Sequence, residues 1–185
     1  MVSIRTIAYT PPRRLQIQVE QVLRAEKSDM TNREGPAIRR VVTGHDGEGR
    51  SVVVLDELAQ GDVTTQVWQA PPDSNNIDDF EAGRQQPGHT VPKGSALRYA
   101  DLHPGYRSEM HRTGTVDYVI ILEGELEMEL DSGEWVHLRQ GDVVVQRGTM
   151  HAWENKSDRV CRMAAILIGA QNVVVNGRVI EPNWK

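Results

Sequence analysis

Short apolar runs separated by turn residues make up most of the chain from residue 38 onward. In residues 125–130 acidic side chains alternate with apolar ones, which is the pattern of a half-buried antiparallel strand. Runs rich in β-branched residues and bounded by Gly, Pro, Asn or Asp also predict strands. The strands predicted in this way cover residues 38–43, 51–58, 64–70, 96–102, 115–122, 126–130, 135–138, 143–146 and 160–168.

The end of the chain and the overall pattern complete this prediction. Two short apolar runs on either side of Asn176-Gly177 predict a last hairpin. The sequence contains neither an internal repeat nor an alternation of strand and helix patterns. The predicted fold class is therefore all-β, as a small antiparallel barrel or jelly roll.

Two segments lie outside the strand pattern. Residues 1–37 are predicted to form an N-terminal arm, in which residues 13–27 fit one face of a helix and equally the alternation of a strand. Residues 73–94 are polar and predict a long loop, either a lid or binding loop or a surface loop without a role. The predicted organisation is an arm at 1–37, a barrel at 38–169, and a C-terminal hairpin and tail at 170–185.

Composition excludes several classes of partner and site. The 185 residues carry 21 Lys and Arg against 26 Asp and Glu, a net charge of −5, so we expect neither nucleic acid nor an anionic membrane as a partner. The chain shows no signal-peptide pattern and no apolar stretch long enough to span a membrane, and a cytoplasmic location is therefore expected. The single cysteine, Cys161, excludes an intrachain disulfide and is expected to be a small buried side chain. Phosphate-binding loops and a nucleophile elbow are also missing from the sequence.

The histidines of the strand-rich half are the residues most able to carry chemistry. If residues 109–122 run extended, the side chains of His111, Thr113 and Asp117 point to one face. His151 and Trp153 share a face in the same way, and Trp153 either stacks on a ligand or fills the core. Two imidazoles and a carboxylate aimed into a barrel would suit Fe(II), Mn(II) or Zn(II) with open coordination positions. The same three groups can instead serve as an acid–base cluster without a metal.

Two segments resemble the two motifs of the cupin superfamily, and together they cover residues 105–155. In the first motif a glycine precedes a His-x-His pair, a glutamate and a second glycine; the matching residues here are, in order, Gly105, His111, Thr113, Asp117 and Gly124. The second motif places a histidine and an asparagine after glycines; the matching residues are Gly141, Gly148, His151 and Asn155. The resemblance implies a cupin double-stranded β-helix, which is a jelly-roll barrel.

The resemblance also implies a metal site, with two departures from the family pattern. His111 and His151 match ligand histidines, and Asp117 stands where a ligand glutamate is expected. Thr113 occupies the position of the second ligand histidine, and since a hydroxyl is a poor ligand, it is expected to hydrogen-bond a substrate, a water or Asp117. His103 could replace the missing ligand histidine, although a position on the rim fits it better. The implied cofactor is a divalent transition metal: Fe, Mn or Zn.

Cupins include many kinds of enzyme as well as binding proteins and regulators, so the resemblance alone does not decide the function. The leading hypothesis is a metal-dependent enzyme, of the lyase or dehydratase type or of the dioxygenase type, acting on a small organic molecule in the barrel. Thr113 and Trp153 are the predicted substrate contacts. The alternative is a non-catalytic protein that binds or senses a small molecule and has a degenerate metal site. The resemblance further implies a homodimer.

Overall fold

The computed structural model describes residues 37–61, 63–72, 83 and 93–183. Residues 1–36 of the predicted N-terminal arm and most of the predicted loop at 73–94 lie outside these residues. The described residues form twelve strands: β1 (Ile38–His45), β2 (Ser51–Ala59), β3 (Thr64–Ala70), β4 (Ser95–Leu102), β5 (Thr115–Glu123), β6 (Glu125–Leu130), β7 (Trp135–Arg139), β8 (Val143–Arg147), β9 (His151–Glu154), β10 (Cys161–Gly169), β11 (Val173–Val175) and β12 (Arg178–Ile180). Within them, no helix is long and apolar enough to cross a membrane.

The strands assemble into two larger sheets and two separate hairpins, and every pairing is antiparallel. One sheet has five strands in the order β3-β4-β10-β5-β8, and the other has three in the order β7-β6-β9. The hairpins are β1-β2 and β11-β12. Strand β10 lies between β4 and β5 and pairs with both. A strand late in the sequence therefore connects two strands that come earlier in the sequence. The observed architecture confirms the predicted all-β fold.

The buried faces of the two sheets share one hydrophobic core. Strand β5 contributes Val119 and Ile121, which alternate with half-buried or exposed residues as the strand pleat requires. Strand β6 contributes Leu126 and Met128 in the same alternation. Both pairs of side chains belong to one cluster of contacting hydrophobic residues. Around these four residues, the space between the sheets is therefore filled with side chains. The polar positions of the same inner faces therefore stand out as candidates for a site.

Two local features differ from the strand prediction. Strand β9 was not predicted as a strand of its own, because it is only four residues long and its pairing with β6 is distant in sequence. The extended segment considered for residues 109–122 is also interrupted, since β5 begins only at Thr115. His111 forms instead an isolated bridge with His151. The two candidate histidines thus approach each other by direct backbone pairing of their own residues.

Candidate functional site

His111 and His151 are direct partners in the structure. The backbone N–H of His111 donates to the carbonyl oxygen of His151 at 2.8 Å, and the N–H of His151 donates to the carbonyl of His111 at 2.9 Å. Directly opposed residues of an antiparallel pair project their side chains to the same side. The two ring centroids are 4.2 Å apart, and His111 and His151 are only 9% and 2% exposed. The fold therefore brings two buried imidazoles into contact.

Each of these imidazoles is held in the same tautomer. Nδ1 of His111 lies 2.8 Å from the carbonyl oxygen of Glu109, and Nδ1 of His151 lies 3.0 Å from that of Thr149. A carbonyl oxygen only accepts hydrogen bonds, so Nδ1 donates in both rings, and a neutral ring in this orientation has its lone pair on Nε2. Burial lowers the pKa of His151 to about 4, so its ring is neutral near pH 7. An oriented neutral imidazole with an unprotonated Nε2 is the form that binds metal ions.

Asp117 is the buried carboxylate of the same inner face. It is 5% exposed, and the hydroxyl of Thr113 donates to its Oδ2 at 3.1 Å. Its Oδ1 is buried and has no hydrogen-bond partner within the described part of the chain. Burial raises the pKa of this carboxyl, and the nearby threonine hydroxyls together with the charges of Arg98 and His111 oppose the shift. A buried carboxylate oxygen without a partner is costly, which points to a cation, a proton or a donor as its complement.

The metal site predicted from the sequence combines these three groups. One structural observation argues against this site, and another is in its favour. In the residues that the structure describes, no three His, Cys, Asp or Glu side chains are grouped closely enough to hold one ion. The imidazole pair and the unpartnered Asp117 oxygen nevertheless fit a divalent transition metal in their donor chemistry. The ligand set remains a prediction.

Arg98 and Gln146 are inward-facing polar residues that the strand pattern did not single out. Ala165 of β10 pairs with Arg98 of β4 on one side and with buried Val119 of β5 on the other, so all three side chains project to the inner face. Gln146 of β8 pairs with Asp117 in the same way and is 4% exposed. The sequence did contain a signal for Arg98, because this residue lies in a row of apolar residues at every second position of its strand.

The remaining predicted residues occupy different surroundings. Trp153 belongs to the hydrophobic core, and the edge of its ring contacts His151 with 5.3 Å between the ring centroids. His103 follows the buried Leu102 at the end of β4 and joins no metal-binding group among the described side chains. Cys161 is fully buried, and burial raises the pKa of its thiol to about 11, so it packs as a small apolar residue, as predicted.

The C-terminal segment packs against the segment that carries His111. Asn183 Oδ1 accepts the backbone N–H of Arg112 at 2.6 Å, and the Asn183 N–H donates to the Arg112 carbonyl at 3.2 Å. Beside this contact lies a small groove that is partly open to solvent, with Thr113 and Arg147 in its wall. Thr113 therefore borders a groove and also hydrogen-bonds the buried Asp117.

Comparisons with known proteins place the chain in a family. A family model described as "Cupin domain" matches residues 98–168. The curated protein "Cupin-domain-containing oxidoreductase fogC" of Aspergillus ruber is 36% identical over 157 residues, which are 77% of this chain and 77% of that protein. The chain belongs to the cupin family. The predicted family is confirmed, and residues 98–168 include His111, Asp117 and His151.

Other relatives carry different names. "Phomopsin biosynthesis cluster protein C'" of Diaporthe leptostromiformis is 34% identical over 168 residues, which are 80% of this cupin and 89% of that protein. Among solved structures, a Cupin 2 conserved barrel domain protein from Salinispora arenicola CNS-205 is 26% identical, with a TM-score of 0.38; the match covers 45% of this chain and 70% of that chain.

Proposed function

We propose that this cupin is a metal-dependent oxidoreductase that acts on a small organic molecule inside the barrel. The observation that carries the proposal is the buried pair of imidazoles whose Nδ1 atoms both donate to backbone carbonyls. With Nδ1 as the donor, a neutral imidazole has its lone pair on Nε2, which is the atom that would bind a metal ion. The relative from Aspergillus ruber is named an oxidoreductase, which favours a redox reaction over the lyase or dehydratase type.

The residues of the chain have distinct roles in this proposal. His111 and His151 would hold a divalent ion of iron, manganese or zinc, with the Asp117 carboxylate as the third ligand. When bound, such an ion polarises a substrate oxygen or activates O₂ or water. Thr113 orients the Asp117 carboxylate through its hydroxyl, and its role as a substrate contact is part of the proposal. The edge of the buried Trp153 ring packs against His151 and restricts the orientation of that imidazole.

Metal binding by matched variants tests the proposal. Protein produced without a histidine tag is stripped with a chelator, loaded separately with Fe(II), Mn(II) and Zn(II) under anaerobic conditions, and assayed by elemental analysis and calorimetry. We expect one ion per chain in the wild type and an affinity at least about tenfold lower in His111→Ala, His151→Ala and Asp117→Asn, since the first two remove a ligand nitrogen and the third removes the negative charge of the carboxylate.

His137→Ala is the control for these variants. His137 lies on the outside of β7, where its Nδ1 is 2.8 Å from a carboxylate oxygen of Glu127, so its loss should leave the metal affinity of the barrel unchanged. A wild type that binds none of the three ions, or variants that all bind like the wild type, would overturn the metal-dependent function.

One observation favours a second function, in which the protein binds or senses a small molecule without a metal. The described residues contain no group of three metal-binding side chains, so His111, His151 and Asp117 can act instead as a polar wall for a ligand. If this alternative is correct, the protein stripped of metal binds none of the three ions and still binds its ligand. The metal titration described above separates the two functions.

A further inference from the structure

The groove beside the C-terminal segment has two arginines in its wall. It lies at the end of the five-stranded sheet where β5 begins and β8 ends, and the C-terminal hairpin contributes Val173 and Ile180 to it. Arg112 and Arg147 both belong to the wall, and the described residues of the wall include neither Asp nor Glu. The whole chain has a net charge of −5, so this arginine groove differs in sign from the average of the molecule.

No carboxylate neutralises either arginine within the part of the chain that the structure describes. The ion pairs found there include neither Arg112 nor Arg147, and Nε of Arg112 is buried without a hydrogen-bond partner. Glu181 is next to the wall in sequence, but its carboxylate accepts a hydrogen bond from Nδ2 of Asn172 at 2.7 Å. A buried charged donor without an acceptor is costly, and a negatively charged acceptor is its complement.

The backbone that carries these two arginines is fixed by the C-terminal segment. Asn183 accepts the N–H of Arg112 and donates to its carbonyl oxygen. Gly148 follows Arg147 directly, and a Cβ atom at Gly148 would lie 2.9 Å from Cγ2 of Val173, so the lack of a side chain lets the hairpin approach closely. An anion in the groove would therefore meet charges on an ordered backbone, which reduces the entropy lost on binding.

We infer that the arginine groove binds an oxyanion, which is the phosphate or carboxylate group of a small molecule. A guanidinium has paired N–H donors that match two oxygens of such a group, and two guanidiniums balance up to two negative charges. The site needs no metal, so the inference goes beyond the proposed function. Thr113 is common to the two sites, because it belongs to the groove wall and donates to Asp117.

Titration with inorganic phosphate and with acetate tests the site. The full-length protein is freed of metal with a chelator, which is then removed, so that an anion has no ion to coordinate. Binding is followed by NMR of the backbone amides. We expect saturable shifts at Gly114 and Gly148, which lie in the groove wall, and none at Gly133, which lies in the turn between β6 and β7. The tighter of the two probes identifies the oxyanion as phosphate or carboxylate.

Matched variants assign the binding to the two arginines. Arg112→Gln and Arg147→Gln should each lower the affinity at least about threefold, because each removes one charged partner of the anion. Arg147→Lys keeps the charge without the planar fork of donors and should retain part of the affinity. Arg139→Gln makes the same chemical change at an exposed position of β7 and should bind like the wild type. Arg147 is itself exposed, so its replacement leaves the core intact, and thermal unfolding checks that each variant is folded.

Three results would each overturn the inference. Phosphate and acetate may both fail to give saturable shifts, or chloride at the same ionic strength and uncharged acetamide give the same shifts as the oxyanions. The third result is a folded Arg147→Gln variant that binds as tightly as the wild type. The metal titration uses other variants and another readout, so a failure to bind metal would overturn the proposed function and leave this site in place.

Discussion

At the scale of single residues, Asn155 shows that a residue of the second cupin motif can have a purely structural role. Its side chain is fully buried; Nδ2 donates to the carbonyl oxygens of Leu102 at 2.6 Å and Arg159 at 2.8 Å. Its Oδ1 accepts the N–H of Ser157 at 3.0 Å and the hydroxyl of the same residue at 2.7 Å. Asn155 thus ties the end of β4 to the turn before β10, and it has no direct contact with the imidazole pair in these bonds.

Replacement of Asn155 should reduce stability. Asn155→Ala leaves buried carbonyl and amide groups without partners, and we expect the free energy of unfolding to fall by about 2–4 kcal/mol. Urea denaturation followed by circular dichroism measures the loss. Ser157→Ala is the comparison: it removes one of the two hydrogen bonds that Asn155 Oδ1 accepts and keeps both bonds that Nδ2 donates, so it should cost only about 1 kcal/mol. Equal losses in the two variants would contradict the assigned role of Asn155.

At the scale of elements, the connection between β5 and β6 decides how the two larger sheets meet. Only Gly124 separates the end of β5 from the start of β6, and it has a φ of +77°, a backbone conformation that glycine adopts without strain. A Cβ atom at this position would lie 2.7 Å from the carbonyl oxygen of Val160. The chain therefore passes between the sheets at a point where another backbone approaches closely.

A pair of glycine variants distinguishes strain from steric overlap at this connection. Gly124→Ala should lower the free energy of unfolding by about 3 kcal/mol or more, because it adds a clash with backbone to the cost of a positive φ. Gly133→Ala is the matched control: its φ is +85°, and a Cβ there meets no atom within 4 Å, so a loss of about 1 kcal/mol is expected. Thermal and denaturant unfolding of both variants provide the comparison, and a control loss as large as that of Gly124→Ala would contradict it.

At the scale of the whole molecule, the outer face of the five-stranded sheet carries apolar side chains. Tyr118 of β5 pairs with Val145 of β8, and these two residues are 40% and 56% exposed in the single chain. Exposed neighbouring apolar residues favour association, because contact removes their surface from water. This observation is compatible with the homodimer that the cupin resemblance implies, and the oligomeric state remains a prediction.

Measurement of the mass in solution tests the homodimer. Light scattering coupled to size-exclusion chromatography should give a mass of twice the 20.7 kDa chain. The mass should fall toward that of one chain only on strong dilution, since association follows mass action. A single-chain mass that is constant over a wide concentration range would show that the homodimer prediction is wrong.

Several features of this cupin followed from the sequence because they depend on local pattern. Alternation in residues 125–130 predicts a half-buried strand, since successive side chains of a strand project to opposite faces. Turn residues such as Asn176-Gly177 predict a hairpin, because they accept the positive φ values that tight turns need. The two glycine-flanked histidine segments likewise resemble the cupin motifs in the sequence alone.

Tertiary structure alone decided which of these residues meet. The backbone pairing of His111 with His151 joins segments that are 40 positions apart, and the tautomer of each ring depends on a carbonyl two residues before it. The inner positions of Arg98 and Gln66 depend on strand register, in which β10 inserts between β4 and β5. Alternation with a period of two shows only that a residue lies on one of the two faces of a strand. Which face is interior, and what lies opposite it, depends on non-local pairing and packing.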